Sequence, residues 1–178
     1  MVSVNIKNIV FSLNIYQEIP LNELTKKFVN VEYDNLTFPG AVARFINPRA
    51  SAIIFQKGKI IITGIRNFEE YEKIKKRIFR MLKSVKINIE KYEEEIVNVV
   101  ASLNLGFKID IEKLAFDMEN CEFEPDLFPG LIYKKEEPRI IFIIFKGGKI
   151  SCMGGSIKIV EEEAKKFAKI LEKYKITI

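Results

Sequence analysis

The chain has 178 residues, 48% of them hydrophobic, with 29 Lys and Arg against 24 Asp and Glu for a formal net charge of +5. That length and apolar fraction suffice for a compact body with its own core, and the mild basic excess admits a nucleic-acid partner without requiring one. The absence of histidine excludes Ser-His-Asp and Cys-His nucleophiles, and Cys121 and Cys152 are not spaced as a metal pair.

In chain order, residues 4–14 read as a first strand, followed by a short helix around Leu21 to Phe28 with apolar residues three to four apart. Ala52-Ile53-Ile54-Phe55 and Ile60-Ile61-Ile62 are separated only by Gln56-Lys57-Gly58-Lys59, the pattern of an antiparallel hairpin within a set of three closely linked strands. A long amphipathic helix then places Phe68, Tyr71, Ile74, Ile78 and Leu82 on one stripe, with Asn67 and Glu70 in the pattern of a capping box. Lys73, Lys75, Lys76, Arg77, Arg80 and Lys83 make its outer face basic. The polar stretch from Lys86 to Glu95 is expected to supply a last strand and to lead onward.

The same series then begins again. A strand over 94–104, a short helix from Ile111 to Met118, a hairpin of Ile140 to Phe145 with Ile150, and a helix carrying Val160, Ala164, Phe167 and Leu171 follow in order. Asn8 returns as Asn98, Phe38-Pro39-Gly40 as Phe128-Pro129-Gly130, Pro48-Arg49 as Pro138-Arg139, Phe55 as Phe145, Gly58-Lys59-Ile60 as Gly148-Lys149-Ile150, and Gly64 as Gly154, each 90 positions on. A period this long is no solenoid unit. It indicates two copies of one small α+β unit related by an approximate two-fold axis, divided at residues 1–91 and 92–178.

The hairpin strands are the informative anomaly. A sheet with helices on one face and water on the other alternates apolar with polar residues, yet Ile53-Ile54-Phe55 and Ile141-Phe142-Ile143-Ile144-Phe145 are apolar on both faces. A dimer contact or helices on both sides would cover the second face. Two helices per half, however, barely cover one face of a five-stranded sheet, which leaves the other as an interaction surface.

Asn-Ile-Val in the first strand, Glu-Tyr then Phe-Pro-Gly, an Arg or Lys, Pro-Arg, Ile-Phe, Gly-Lys and Thr-Gly, in order and largely duplicated across residues 4 to 178, resemble the TATA-box-binding protein family, its archaeal members above all. The resemblance implies a saddle: a curved ten-stranded antiparallel sheet whose concave face sits on the DNA minor groove, with four helices on the convex back. It assigns Phe38, Phe55, Phe128 and Phe145 as wedges pushed into base steps, and the bend that such wedges produce comes with it. Asn8 and Asn98 match the family's pair that donates to minor-groove acceptors. Val10, Val100, Ile53, Ile143 and Ile61 share strand parity with these positions and form the expected apolar floor, with Thr63 at the usual hydroxyl position. Arg44, Arg49, Lys59, Lys134, Arg139 and Lys149, at repeat-related strand ends and turns, are the candidate phosphate contacts. Glu124, Asp126 and Leu127 match an acidic loop that resembles a docking point for a transcription factor B-like partner.

The chain departs from the family where Met153 is the mate of Thr63, where Ser151 replaces a Val-like residue, and where Gly64-Ile65-Arg66 and Gly154-Gly155-Ser156 replace Gly-Ala-Lys. These changes bear on the symmetry of base contacts and leave the wedges intact.

An enzyme is not the expectation. Gly147-Gly148-Lys149 lacks the earlier glycine of a phosphate-binding loop, and the acidic runs at Glu93 to Glu95 and Glu161 to Glu163 read as solvated charge. With no signal-peptide pattern and no long apolar span, the expected protein is soluble, reduced and intracellular, associated with DNA in the cytoplasm or nucleoid, without cofactor or metal. The function so implied is that of a general transcription factor. It binds A·T-rich duplex DNA, bends it, and presents it to a transcription factor B-like protein and, indirectly, to RNA polymerase. The alternatives are a saddle-fold protein-interaction module and a specialised paralogue with another DNA target.

Overall fold

The structure, a computed structural model, describes residues 2–176. The first half runs β1 (Asn5–Asn14), α1 (Leu21–Lys27), β2 (Val31–Glu32), β3 (Gly40–Phe45), β4 (Ala50–Phe55), β5 (Lys59–Ile65) and α2 (Phe68–Ser84). The second runs β6 (Glu93–Asn104), α3 (Ile111–Asp117), β7 (Cys121–Glu122), β8 (Gly130–Lys135), β9 (Ile140–Phe145), β10 (Lys149–Gly154) and α4 (Ile157–Leu171), closed by a 3-10 turn at Glu172–Tyr174. Within the first half the strands lie in the order β2-β3-β4-β5-β1, and within the second β6-β10-β9-β8-β7. The chain divides into two compact units, Asn8–Val97 and a unit that runs on from Asn98 and takes in the first residues up to Lys7.

Alternation decides which side is core along most of the strands, though Ser12 of β1 is buried between Phe11 and Leu13. Ile9, Phe11 and Leu13 of β1, Ile54 of β4 and Ile60 and Ile62 of β5 are buried, while Val10, Ile53, Ile61 and Thr63 between them stay partly exposed. Each isoleucine so removed from water contributes about 1.5–3 kcal/mol. The long helices close over the buried side. Tyr71 of α2 stacks on Phe11 with ring centroids 3.7 Å apart, and Phe167 of α4 packs on Phe142 at 4.3 Å. Phe68, expected on the inner stripe of α2, lies at its margin, 56% exposed, with its edge against Phe11.

The helix starts follow the capping residues. Asn67 accepts from the Glu70 N–H at 2.9 Å, Asp110 from Lys113 at 3.0 Å and Ser156 from Ile159 at 3.3 Å. The Glu70 carboxylate does reach back, but to the N–H of Arg66, one residue before the partner that a capping box uses.

Three expectations are corrected. The fifth strand of the first half is β2, not the stretch after α2, of which only Glu93–Glu95 is strand and opens β6. The reason is the end of α2. Lys86 takes a left-handed φ of 66°, its N–H bonds to the Lys83 carbonyl and that of Ile87 to Leu82, a Schellman closure made without the usual glycine. The repeat offset also slips once. Between Ile9↔Ile65 and Phe11↔Ile62, Val10 faces two residues of β5, a bulge accommodated by Gly64 at φ 88°, whereas β6 and β10 pair without interruption. The extra residue puts the caps Asn67 and Ser156 one position closer than the strands are.

The third correction concerns charge. Lys75 is not on the outer face of α2. It is 6% exposed, bonded to Glu72 at 2.7 Å and to Glu94 at 2.9 Å, with its ammonium 4.9 Å from the Tyr71 ring centre. Tyr71 donates to the same Glu94 oxygen at 2.5 Å. Glu163 is likewise no solvated charge: it is 5% exposed and ion-paired with Lys135 and Lys166. Burial works against the Glu94 carboxylate, but the hydrogen bonds from Tyr71 and Lys75 outweigh it and hold the acid below its usual range. Lys135 and then Lys166 do the same for Glu163. Burial opposes the charge of Lys75, and its bonds to Glu72 and Glu94 reverse that and raise it.

These shifts set a pH window. Carboxylates depressed in the folded state contribute stability that is complete above their unfolded value, about 4.3, and lost as pH falls through the folded value. The raised Lys75 contributes below its unfolded value, about 10.4, and its contribution is lost as pH rises through the folded one. Stability is therefore expected to fall below about pH 4.5 and again above about pH 10. Glu94→Gln should cost about 1 kcal/mol at pH 7, discounted because the carboxylate is partly exposed, and the deficit should close toward pH 3. Urea melts of the two proteins across pH check this, and a deficit that does not shrink in acid would contradict the assignment.

Among the described residues no helix is long and apolar enough to cross a membrane.

Candidate nucleic-acid interface

Each half presents one sheet face not covered by its own helices, built by the alternate residues of five strands. In the first half the register places Ser12, Ile61, Ile53 and Val42 in a row across β1, β5, β4 and β3. In the second the corresponding row is Ser102, Ser151, Ile143 and Ile132. Val10 and Asn8 of β1, and Val100 and Asn98 of β6, share the parity of these faces and are partly exposed.

At the rim of each face stands a pair of phenylalanines. Phe38 and Phe55 have ring centroids 6.1 Å apart, and Phe128 and Phe145 5.9 Å apart. Phe38 is 42% exposed and Phe128 38%, so these rings do not sit in the core. Their seat is a glycine. A Cβ on Gly130 would lie 2.7 Å from the Phe128 ring, 3.0 Å from Ile143 and 3.2 Å from the Phe145 ring, and Gly40 holds the same position under Phe38 and Phe55. Gly40 and Gly130 pair directly with Phe55 and Phe145 across the strands. Sequence reasoning noted Phe-Pro-Gly only as a repeated tripeptide; its constancy in both halves was the signal that the glycine has a steric role.

The two asparagines differ in their surroundings. Asn8 is held by its neighbours: its carbonyl accepts the Gly64 N–H at 2.7 Å, which the bulge frees from the ladder, and its amide donates to the Thr63 hydroxyl at 3.2 Å. Asn98 has no such partner among the described residues, because Met153 replaces Thr63 and β10 carries no bulge.

The candidate cations fall into two groups. Arg44 is bonded to Glu32 at 2.7 Å and Lys134 to Glu122 at 2.5 Å, a repeated cross-strand ion pair that the sequence reading missed. Glu32 and Glu122 repeat at the common offset, which was the available signal. Arg49 and Arg139 in the turns before β4 and β9, and Lys59 and Lys149 at the starts of β5 and β10, are exposed and form no ion pair among the described residues. Glu124, Asp126 and Leu127 occupy an exposed turn closed by the Leu127 and Phe128 N–H groups on the Glu124 carbonyl, both at 2.9 Å, with Leu127 81% exposed.

An α+β unit made twice, each copy with an open apolar sheet face and a glycine-seated ring pair at its rim, defines a class of two-repeat α+β proteins. The family model described as "Transcription factor TFIID (or TATA-binding protein, TBP)" matches residues 3–85 and 93–174, and the chain belongs to that family. It is 40% identical over 171 residues to the TATA-box-binding protein of Sulfurisphaera tokodaii, covering 96% of this chain and 85% of that one. It is 36% identical to that of Archaeoglobus fulgidus, covering 95% and 93%. The solved structure of Methanococcus jannaschii TBP matches with a TM-score of 0.87 at 34% identity, covering 96% of this chain and 99% of that one. The fold class expected from the sequence, the α+β class of the family's solved structure, is the one found, with five antiparallel strands and two helices in each half. This is a transcription-factor family and not a family of enzymes.

Proposed function

We propose that the protein is a general transcription factor that binds A·T-rich, TATA-like promoter DNA in the minor groove, bends it with its four phenylalanines, and nucleates assembly with a transcription factor B-like partner. The observation that carries this reading is the exposed, glycine-seated ring pair at the rim of each open apolar face. The names of the relatives support the DNA class. The chemistry agrees. Ile53, Ile61, Ile143, Val10 and Val100 offer no partner to a guanine amino group, whereas Asn8, Asn98 and Thr63 can donate to the adenine N3 and thymine O2 acceptors that every A·T pair shows. Apolar rings entering a base step cost a few kcal/mol of unstacking, recovered through the extra surface that a bent duplex brings into contact.

A gel-shift titration with an A·T-rich duplex and a G·C-rich control of equal length tests the reading. Binding of the A·T duplex at least about a hundredfold tighter is expected, from a few mismatched pairs at about 1–3 kcal/mol each. Equal affinity for both would favour a protein-interaction module instead.

The cations should contribute unequally. Arg49→Ala and Arg139→Ala are expected to weaken binding to all sequences alike and to flatten the slope of log K against log salt by about 0.9 for each phosphate no longer neutralised. Arg44→Ala should flatten it less, since Glu32 already neutralises that guanidinium and has to be displaced before a phosphate can take its place. Titrations between 50 and 200 mM salt, roughly the range over which such slopes are resolved, distinguish the two groups. A change in base preference with an unchanged slope would show that the arginines read bases.

A further inference from the structure

Along one row of the two open faces the polarity differs at a single position, while Val42 and Ile132 differ only by a methylene. Ser12, Ile61, Ile53 and Val42 stand in the first half, where Ser102, Ser151, Ile143 and Ile132 stand in the second. Ile61 thus has Ser151 as its mate. Ser151 and Ser102 are paired directly across β10 and β6, which places their side chains about 4.5–5.5 Å apart. Both are partly exposed, and neither hydroxyl has a hydrogen-bond partner among the described residues. On the first face Ser12 is 8% exposed beside Ile61.

An unpartnered hydroxyl on an apolar recognition surface is chemically specific in what it admits. The minor groove shows the same two acceptors for A·T and T·A, and G·C adds one feature, the guanine amino donor on the groove floor. Isoleucine at that place obstructs the amino group and leaves its N–H without an acceptor. Serine is smaller, and its hydroxyl can accept from the guanine amino group or rotate and donate to adenine N3 or thymine O2. Resting on the proposed minor-groove binding, we infer that the second half accepts a G·C pair at the step facing Ser151 while the first half, through Ile61, rejects it. The protein then reads an asymmetric site, strict A·T in one half-site and relaxed in the other.

The consequence can be tested without knowing which way round the protein lies. On a self-complementary alternating A·T tract in G·C flanks, a molecule facing one G·C pair can turn end for end and place Ser151 on it. Single G·C pairs are moved through one half-site in turn, and the two-pair duplex carries G·C at both mirrored positions. Dissociation constants of the full chain are compared with its own value on the uniform tract.

At the position facing Ser151, the wild type should lose less than about threefold on the single-pair duplex and about tenfold or more on the two-pair duplex, the size of one mismatched pair. Ser151→Ile should raise the single-pair loss to about tenfold. Ile61→Ser should bring the two-pair loss below about threefold. Each variant installs the residue found at the mated position of the other repeat, so the fold tolerates it. A single G·C pair that costs the wild type tenfold at every position, or a Ser151→Ile protein that still accepts it, overturns the inference and leaves the proposed function standing. Failure to bind the uniform tract overturns both.

Discussion

Replacing Phe128 and Phe145 together by alanine should abolish bending at one end of the site and weaken binding by about tenfold or more, while leaving the protein folded. The rings sit at the rim of a partly exposed face, 5.9 Å apart and seated over Gly130, so alanine removes little core packing. The unfolding free energy should change by less than about 1 kcal/mol, as for surface substitutions away from the core. The bend is lost because unstacking a base step costs a few kcal/mol, and a methyl group has neither the reach nor the area to offset it. Energy transfer between dyes at the duplex ends reads the bend, and calorimetry reads the fold. Gly130→Val provides a second approach that spares both rings. Its Cβ would stand 2.7 Å from the Phe128 ring and 3.2 Å from that of Phe145, so the pair has to spread, and bending should fall although all four phenylalanines remain. Alanine variants that bend DNA as the wild type does would refute the wedge assignment; loss of bending through unfolding would assign the rings to the core.

Reversing charge at Glu124 and Asp126 should separate DNA binding from assembly. Both carboxylates and Leu127 lie in an exposed turn whose backbone is fixed by two hydrogen bonds to the Glu124 carbonyl, so Arg at either position leaves the turn intact. The first-half counterparts Asp34, Leu36 and Thr37 hold a single carboxylate, and there Asp34 is occupied by Leu36 and Thr37. Glu124 and Asp126 make no hydrogen bond or ion pair through their carboxylates among the described residues, which leaves two charges for a basic partner. Glu124→Arg with Asp126→Arg should leave binary DNA binding equal or slightly tighter and abolish the ternary complex with a transcription factor B-like protein, since like charges across an interface cost several kcal/mol. Supershift assays at moderate salt decide the point. A ternary complex that survives the double reversal would place the partner elsewhere.

The repeat and the family are legible in the amino-acid order alone. The spaced glycines, the doubled Phe-Pro-Gly and the two-sided apolar strands identify the repeat, the open face and the family, because side-chain alternation and turn chemistry are local properties that a one-dimensional pattern records. What the pattern misread is equally particular. Lys75 and Glu163 look like solvated charges, and only tertiary packing brings Glu94 and Lys135 within bonding distance to make their burial tolerable. The stretch after α2 looks like a strand, and the left-handed Lys86 turns the chain away. Arg44 and Lys134 look free, and cross-strand pairing gives each a carboxylate. The order of residues records what repeats, and the folded chain shows where the repeats differ. A β bulge at Gly64 engages Asn8 with its own backbone, and strand register sets Ser151 beside Ser102, because register and pairing are relations between residues far apart in the chain.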